Sequence, residues 1–318
     1  MSQPLVTIIC LCYNHEKFIV ESLTSVWKQA YEHIEVIIVD DCSTDDSVAI
    51  IQSYLATYPS PFPLKTLFLK QNLGNCAAFN RGWKMAKGEY IIDLATDDIL
   101  LPKRVSSQVA HFQQLPEDYG VVFTESKYID ATGRDLGYHY DKQYKHIRPI
   151  PTGDIYQEVL SRYFISSPTM MIRKEVLQYL GGYDEQLAYE DFDFWVRSSR
   201  KYKYTYLDEC TTLVRKLESS LSKGIYKKGD RQLHSTFLVC QKAKSLNKTL
   251  AEQEALIKRV KSEIRQSVFS DSREETVLFF GLLEEIESIK GFYRILYLLF
   301  KTNIPLNWLR SLYIRVRY

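Results

Sequence analysis

The chain opens on a continuous apolar run, Leu5-Val-Thr-Ile-Ile-Cys-Leu-Cys12, unbroken and rich in β-branched residues, as a parallel strand buried on both faces requires. Asn14 stands where a helix cap is expected, and Ile19, Leu23, Val26, Trp27 and Ala30 then recur at helical spacing. A second apolar run over 34–39 predicts the next strand. The alternation continues with a helix over 46–57, a strand over 64–69 after Pro59, Pro61 and Pro63, a helix over 75–86, a strand over 89–94, a helix over 102–115 and a strand over 120–124. Such a βαβ series predicts an α/β fold with a mostly parallel sheet flanked by helices.

The pattern breaks over 130–151, a Gly-, Tyr-, His- and Lys-rich stretch that reads as a long loop over the sheet edge, of a length that often carries function. Helical spacing returns over 154–163, a short strand over 169–173 and a helix over 174–180 follow, Gly181-Gly182 stops it, and another helix is predicted over 190–200. Beyond about residue 222 the chain is helical and charged, over 250–268 and 274–289, which places a domain boundary within 219–229. No internal repeat is visible.

Composition is that of a globular protein, with 45% hydrophobic and 25% charged residues in 318. A net charge of +2 argues against a nucleic-acid partner, yet the charge is uneven: residues 291–318 carry Arg294, Lys301, Arg310, Arg315 and Arg317 and no acid. The six cysteines form no CxxC pair, which suits reduced thiols in a cytoplasmic protein. No secretory leader is seen, and the longest apolar run near the C-terminus, Ile295 to Phe300, is too short to span a bilayer. GxGxxG, GxxxxGK[ST], GxSxG and HExxH are all absent, against dinucleotide, P-loop, α/β-hydrolase and zincin chemistry. The six histidines lack metal-ligand spacing and read as solvated or hydrogen-bonded.

In an open α/β sheet, ligands sit beyond the carboxyl ends of the strands, so polar residues there are the first to question. Asp40-Asp41 and Asp97-Asp98 both follow predicted strands. Two adjacent carboxylates repel, and a hard divalent cation with oxygen ligands would relieve them. Turn and cap roles are the alternative, and for Asp40-Asp41 capping alone suffices. For Asp97-Asp98 it is weaker, because Ile99-Leu100-Leu101-Pro102 intervenes before the next helix. A third pair, Glu190-Asp191, opens the Phe-Asp-Phe-Trp helix and offers a fixed carboxylate of the kind a general base needs.

Taken in order, these residues resemble the family-2 inverting glycosyltransferases of the GT-A fold over about 5–222. The motifs are Val-Thr-Ile-Ile-Cys-Leu-Cys-Tyr13-Asn14, Glu35-Val-Ile-Ile-Val-Asp40-Asp41-Cys-Ser-Thr-Asp45, Asn72-Leu-Gly74 with Ala78-Phe79-Asn80-Arg-Gly82, Ala95-Thr-Asp97-Asp98, and Gly181-Gly-Tyr-Asp-Glu185 with Glu190-Asp191. The resemblance implies a catalytic domain over 1–222, with a nucleotide-sugar half (1–125) and an acceptor half (126–222), followed by a helical region over 223–318. Leu11, Tyr13, Asp41, Asn80 and Asp97 would bind the donor nucleotide, Asp98 a Mn2+ or Mg2+ ion on the diphosphate, and Asp191 would be the base. Arg215 would touch phosphate, and Ser166, Ser167 and Glu190 the acceptor. Leu11 stands where the family often has Pro or Thr, Phe79 where it has Arg, Ala95 where it has Asp, and Leu217 where a R-x-H-x-x-S-x-S segment has its His.

The expected reaction moves a sugar from a nucleoside-diphosphate sugar to a saccharide or lipid-linked acceptor with inversion, in bacterial surface-polysaccharide synthesis. Independently, the basic aromatic tail over 291–318 has the make-up of a helix lying on anionic headgroups, which places the protein at the cytoplasmic face of the inner membrane; docking on its own catalytic domain or a dimer interface is the competing use of that tail. A catalytically inactive nucleotide-sugar-binding or scaffold homologue is the alternative that Leu11, Phe79 and Leu217 motivate. A nucleotidyltransferase is disfavoured by the lack of a Gly-rich phosphate loop after the first strand.

Overall fold

A computed structural model describes residues 3–140, 148–217 and 231–302. The chain divides into two compact units: 1–155, 164–186 and 197–217 in the first, and 156–163, 187–196 and 218–318 in the second. The expected boundary over 219–229 lies outside the described residues, as does most of the basic tail, 303–318.

The first unit is built on β1 (Val6–Cys12), β2 (Ile34–Asp40), β3 (Leu64–Phe68), β4 (Tyr90–Ala95), β5 (Ile99–Leu100), β6 (Tyr119–Ile129), β7 (Asp135–Tyr138), β8 (Met171–Arg173) and β9 (Lys203–Arg215). They form one sheet in the order β3-β2-β1-β4-β8-β6-β9-β5, with β7 paired to β6. The expected parallel series holds across β3-β2-β1-β4, where β1 and β2 are buried on both faces along their whole length. Beyond β4 the sheet is mixed. β8 is antiparallel to both β4 and β6, and β6 and β9 run parallel with three register shifts.

Four helices of this unit match the periodic segments: α1 (Ile19–Trp27), α2 (Ser47–Thr57), α3 (Asn75–Trp83) and α4 (Arg104–Phe112). Ile19, Leu23 and Val26 of α1 join Val6, Ile8, Ile38 and Ile92 in one core. Asn14 does not cap α1, whose N-cap is Phe18; it adopts φ 58° and accepts a hydrogen bond from Thr44 N at 2.8 Å instead. The expected loop over 130–151 is in part a hairpin, because β6 runs on to Ile129 and β7 returns along it.

The second unit is helical: α5 (Tyr156–Ser161), the first six residues of α7 (Asp191–Ser198), α8 (Arg231–Leu246), α9 (Leu250–Phe269), α10 (Arg273–Ile286) and α11 (Gly291–Lys301). α6 (Lys174–Leu180) belongs to the first unit. At the centre of the second unit, buried Arg259 of α9 donates to Leu160 O at 3.0 Å and to Glu263 at 3.3 Å, and stacks over Tyr163 at 4.0 Å and Phe192 at 5.0 Å. Lys242 of α8 pairs with buried Asp193 at 2.6 Å. Ser235 Oγ accepts from Ala188 N at 2.9 Å, and Tyr189 Oη lies 2.7 Å from Thr236 Oγ1. The segment that carries Glu190 and Asp191 is thus held on both sides by α8 and α9.

Replacing Arg259 by Met removes the guanidinium that faces buried Glu263 and the Leu160 carbonyl. We expect a loss of about 3–5 kcal/mol in denaturant unfolding, larger than for removal of the surface pair Lys244–Glu285, 2.6 Å apart.

Candidate functional site at the carboxyl edge of the parallel strands

The register of the parallel strands fixes which residues meet. Cys12 pairs with Asp40 and Leu11 with Ala95, so Tyr13, Asp41 and the Thr96–Asp98 turn leave the sheet at one edge. Asp41 N donates to Cys12 O, and Thr96 N donates to Leu11 O, both at 2.9 Å. The loops after β1 and β2 then bind each other: Asn14 N donates to Ser43 Oγ, His15 N to Ser47 Oγ and Glu16 N to Asp45 Oδ2. Both loops use a non-glycine residue with positive φ, Asn14 at 58° and Cys42 at 62°, a strained turn that this hydrogen bonding holds in place.

The two aspartates after β2 divide the work. Asp40 is turned back into the turn, accepting from Ser43 N at 2.9 Å and Ser43 Oγ at 2.5 Å. Asp41 accepts from Leu73 N at 2.7 Å and Gly74 N at 2.9 Å, which anchors the loop before α3. Burial raises its pKa against those two amides, with Asp40 adding to the rise. Each carboxylate oxygen of Asp41 keeps a lone pair for a further donor such as a base N–H. Tyr13 is 45% exposed at the same edge.

Asp98 is 3% exposed and accepts from Arg215 N at 2.8 Å. Burial drives its pKa well up, the neighbouring Asp97 carboxylate adds to the rise, and the Arg215 amide, Lys216 and Arg104 oppose it. Arg104 is itself fully buried, its pKa pulled down to about 9 by burial, while it donates to Pro168 O, Met170 O and Thr212 Oγ1. His15 also enters: Nδ1 lies 2.9 Å from Thr96 Oγ1, and Nε2 lies 3.9 Å from Asp97 Oδ1. Two crowded, desolvated carboxylates suit a hard dication. Among the described residues no three candidate ligands gather, so the protein would supply one or two oxygens and phosphate the rest.

Several expected ligands are committed to the protein itself. Leu11 is buried within β1. Asn80 donates to Tyr183 O at 2.8 Å and Glu185 Oε1 at 3.0 Å and accepts from Tyr183 N at 2.9 Å, so it braces the turn after α6. That turn requires Gly182: its φ is 90°, and a Cβ there would stand 2.4 Å from Asn80 Oδ1. Arg215, 4% exposed, donates to Asp97 O, Asp130 O and the Glu21 carboxylate, and stacks over Phe18. The expected phosphate contact finds this guanidinium bound to protein acceptors. Ser166 is buried with Oγ 2.8 Å from Ser126 Oγ, beside the more open Ser167. Glu190 and Asp191 lie at the start of α7 in the second unit, where Glu190 O accepts from Phe194 N at 2.8 Å.

An α/β sheet with acidic turns beyond the carboxyl ends of its parallel strands places a ligand site at that edge. Residues 7–181 match the profile of Glycosyl transferase family 2, and the chain belongs to that family. It is 30% identical over 215 residues to an uncharacterized glycosyltransferase of Methanocaldococcus jannaschii, covering 66% of this chain and 70% of that protein. It is 30% identical over 203 residues to one of Rickettsia typhi, of whose length the chain covers 59%. Among solved structures, Staphylococcus aureus TarS 1–349 in complex with UDP-GlcNAc superposes with a TM-score of 0.61 at 21% identity, over 89% of this chain and 88% of that one. The mannosyltransferase PcManGT of Pyrobaculum calidifontis, in complex with GDP-Man and Mn2+, gives 0.60 at 16% identity, over 95% and 85%. The fold is the GT-A arrangement.

Because the native Asp98 binds its proton more tightly than the unfolded chain does, this residue favours the folded state at low pH. That increment is lost as pH rises from the ordinary carboxylate range through the higher native value. Asp98→Asn keeps an acceptor for Arg215 N and removes the buried charge. We expect the ligand-free variant to melt about 2–4 °C higher at pH 7 and to lose the difference at acid pH, as read by differential scanning calorimetry.

Proposed function

We propose that this protein transfers a sugar from a nucleoside-diphosphate sugar to a saccharide or lipid-linked acceptor, with inversion, in cell-surface polysaccharide synthesis. The observation that carries the reading is the charged edge itself: Asp41 gripped by the Leu73 and Gly74 amides beside Asp97-Asp98, in a chain of this family. The nucleotide sugars bound by TarS and PcManGT support it.

Tyr13 and Asp41 hold the base, and Asp97 the ribose. Asp98 would hold a Mn2+ or Mg2+ ion, which would supply Lewis-acid chemistry to the departing diphosphate. Asp191 accepts the proton of the acceptor hydroxyl as its oxygen attacks the anomeric carbon opposite the leaving group, so one displacement inverts that centre. Glu190, Ser166 and Ser167 contact the acceptor. The anchoring of residues 188–193 by α8 and α9 supports Asp191 in this role, because a general base must be held within reach of its proton.

Donor binding and turnover separate the roles. With UDP-GlcNAc and GDP-mannose as probes, one nucleotide should raise the melting temperature in the presence of Mn2+. Asp191→Asn should keep that shift while transfer falls about 10²–10⁴-fold. Donor binding by the wild type with no transfer to any lipid or saccharide acceptor would favour a binding-only homologue instead.

The acceptor side is membrane-proximal. α11 exposes Phe292, Ile295, Leu298 and Leu299, 40–61% each, on one stripe, with exposed Arg294 and Lys301 and no acid on the helix. An apolar stripe with flanking cations fits anionic lipid. Among the described residues no helix is long and apolar enough to cross a membrane. In vesicle flotation, Ile295→Glu with Leu298→Glu should abolish binding to vesicles rich in phosphatidylglycerol. Equal binding to neutral vesicles would contradict the electrostatic part.

A further inference from the structure

The donor's diphosphate carries charge that the edge must meet, and Arg215 is not free to meet it. Its guanidinium is buried against Phe18 and divided among Asp97 O, Asp130 O, Ala131 O and the Glu21 carboxylate. The next residue is different. Lys216 stands one step beyond the end of β9, its amide donating to Ile129 O at 2.8 Å, and its Nζ lies 4.1 Å from the centre of the Tyr128 ring. Tyr128 is fixed in turn, its hydroxyl 2.5 Å from His139 Nδ1, and burial pushes its pKa up to about 12, so the ring stays neutral. Among the described residues Lys216 makes no ion pair; burial pulls its pKa below the ordinary lysine value, and the Asp98 and Asp97 carboxylates oppose that fall.

A partly buried ammonium on an aromatic platform, beside the residue whose amide binds Asp98, is a cation waiting for an anion. We propose that Lys216 is the resident cation for the donor diphosphate, so that part of the affinity for nucleoside diphosphate is independent of metal. This deepens the reading above and rests on it. In that arrangement Asp98 would hold the dication and Lys216 would meet the remaining leaving-group charge, because the neighbouring Arg215 guanidinium is committed to protein acceptors. Lys216 binds as a point charge with three donors and needs no fixed fork geometry.

The test is titration calorimetry with UDP and GDP in EDTA and in Mn2+, on wild type, Lys216→Gln and Lys216→Arg, with the matching nucleoside followed by ligand-observed NMR. Wild type should bind its preferred diphosphate in EDTA as well as in Mn2+. Lys216→Gln should weaken that binding in EDTA about tenfold or more, as expected for loss of a charge-assisted contact, with the nucleoside unaffected. Lys216→Arg should stay within about threefold, since it keeps the charge. Equal affinity of Lys216→Gln and wild type, a matching loss for the nucleoside, or wild-type binding that requires Mn2+ outright would each overturn the proposal while leaving a donor site in place. If wild type binds neither diphosphate under any condition, the donor-site reading itself falls.

Discussion

A single backbone amide organises the charged edge. Arg215 N donates to Asp98, and the Arg215 side chain then ties the Asp97 carbonyl, the turn after β6 and the Glu21 carboxylate of α1 to the end of β9. Four separate pieces of chain meet at that residue. Without it, two adjacent carboxylates would sit in low dielectric with little to oppose their repulsion. With it, Asp98 stays inside and aimed at the edge, which is where a ligand would have to compete for it.

The cost of this arrangement is local, and the support comes from elsewhere. The loops after β1 and β2 adopt left-handed backbone at Asn14 and Cys42 and hold each other there by side-chain to amide hydrogen bonds. Beneath them the parallel strands are packed on both faces, so the strain is carried by a rigid base. The same division recurs in the helical unit. There Arg259 and Lys242 pair with buried carboxylates and hold Phe192 and Asp193, while Ser235 and Thr236 hold residues 188 and 189 on the other side of Asp191.

The parallel strands and their helices were legible because apolar periodicity there is strong and local. β9 was not. Its sequence, Lys203 to Arg215, mixes Thr, Asp, Glu and Cys without clean alternation, and it is a strand because β6 lies alongside it. β6 outran its predicted end for a related reason. Glu125 and Ser126 look like a strand terminus, yet Tyr140 N and Ser166 Oγ give them buried partners. The acidic motifs at the edge could be read from spacing and resemblance. His15 could not, since its link to Thr96 spans 81 residues. Asn80 and Arg215 were expected as ligands from the family resemblance, and a motif position does not separate a ligand from a brace. Only their partners tell the two apart.

One feature of β9 bears on how the chain is made. Asp98 and the amide that holds it are separated by 117 residues. As the polypeptide leaves the ribosome, β1 to β4 can pair with one another early, because their partners are near in sequence. The Thr96–Asp98 turn has to wait. At about 5–20 residues per second, several seconds pass between its synthesis and that of Arg215. During that interval the two acids lack the Arg215 amide and the rest of the end of β9 that opposes their repulsion, so the turn can settle only after the last strand has been made.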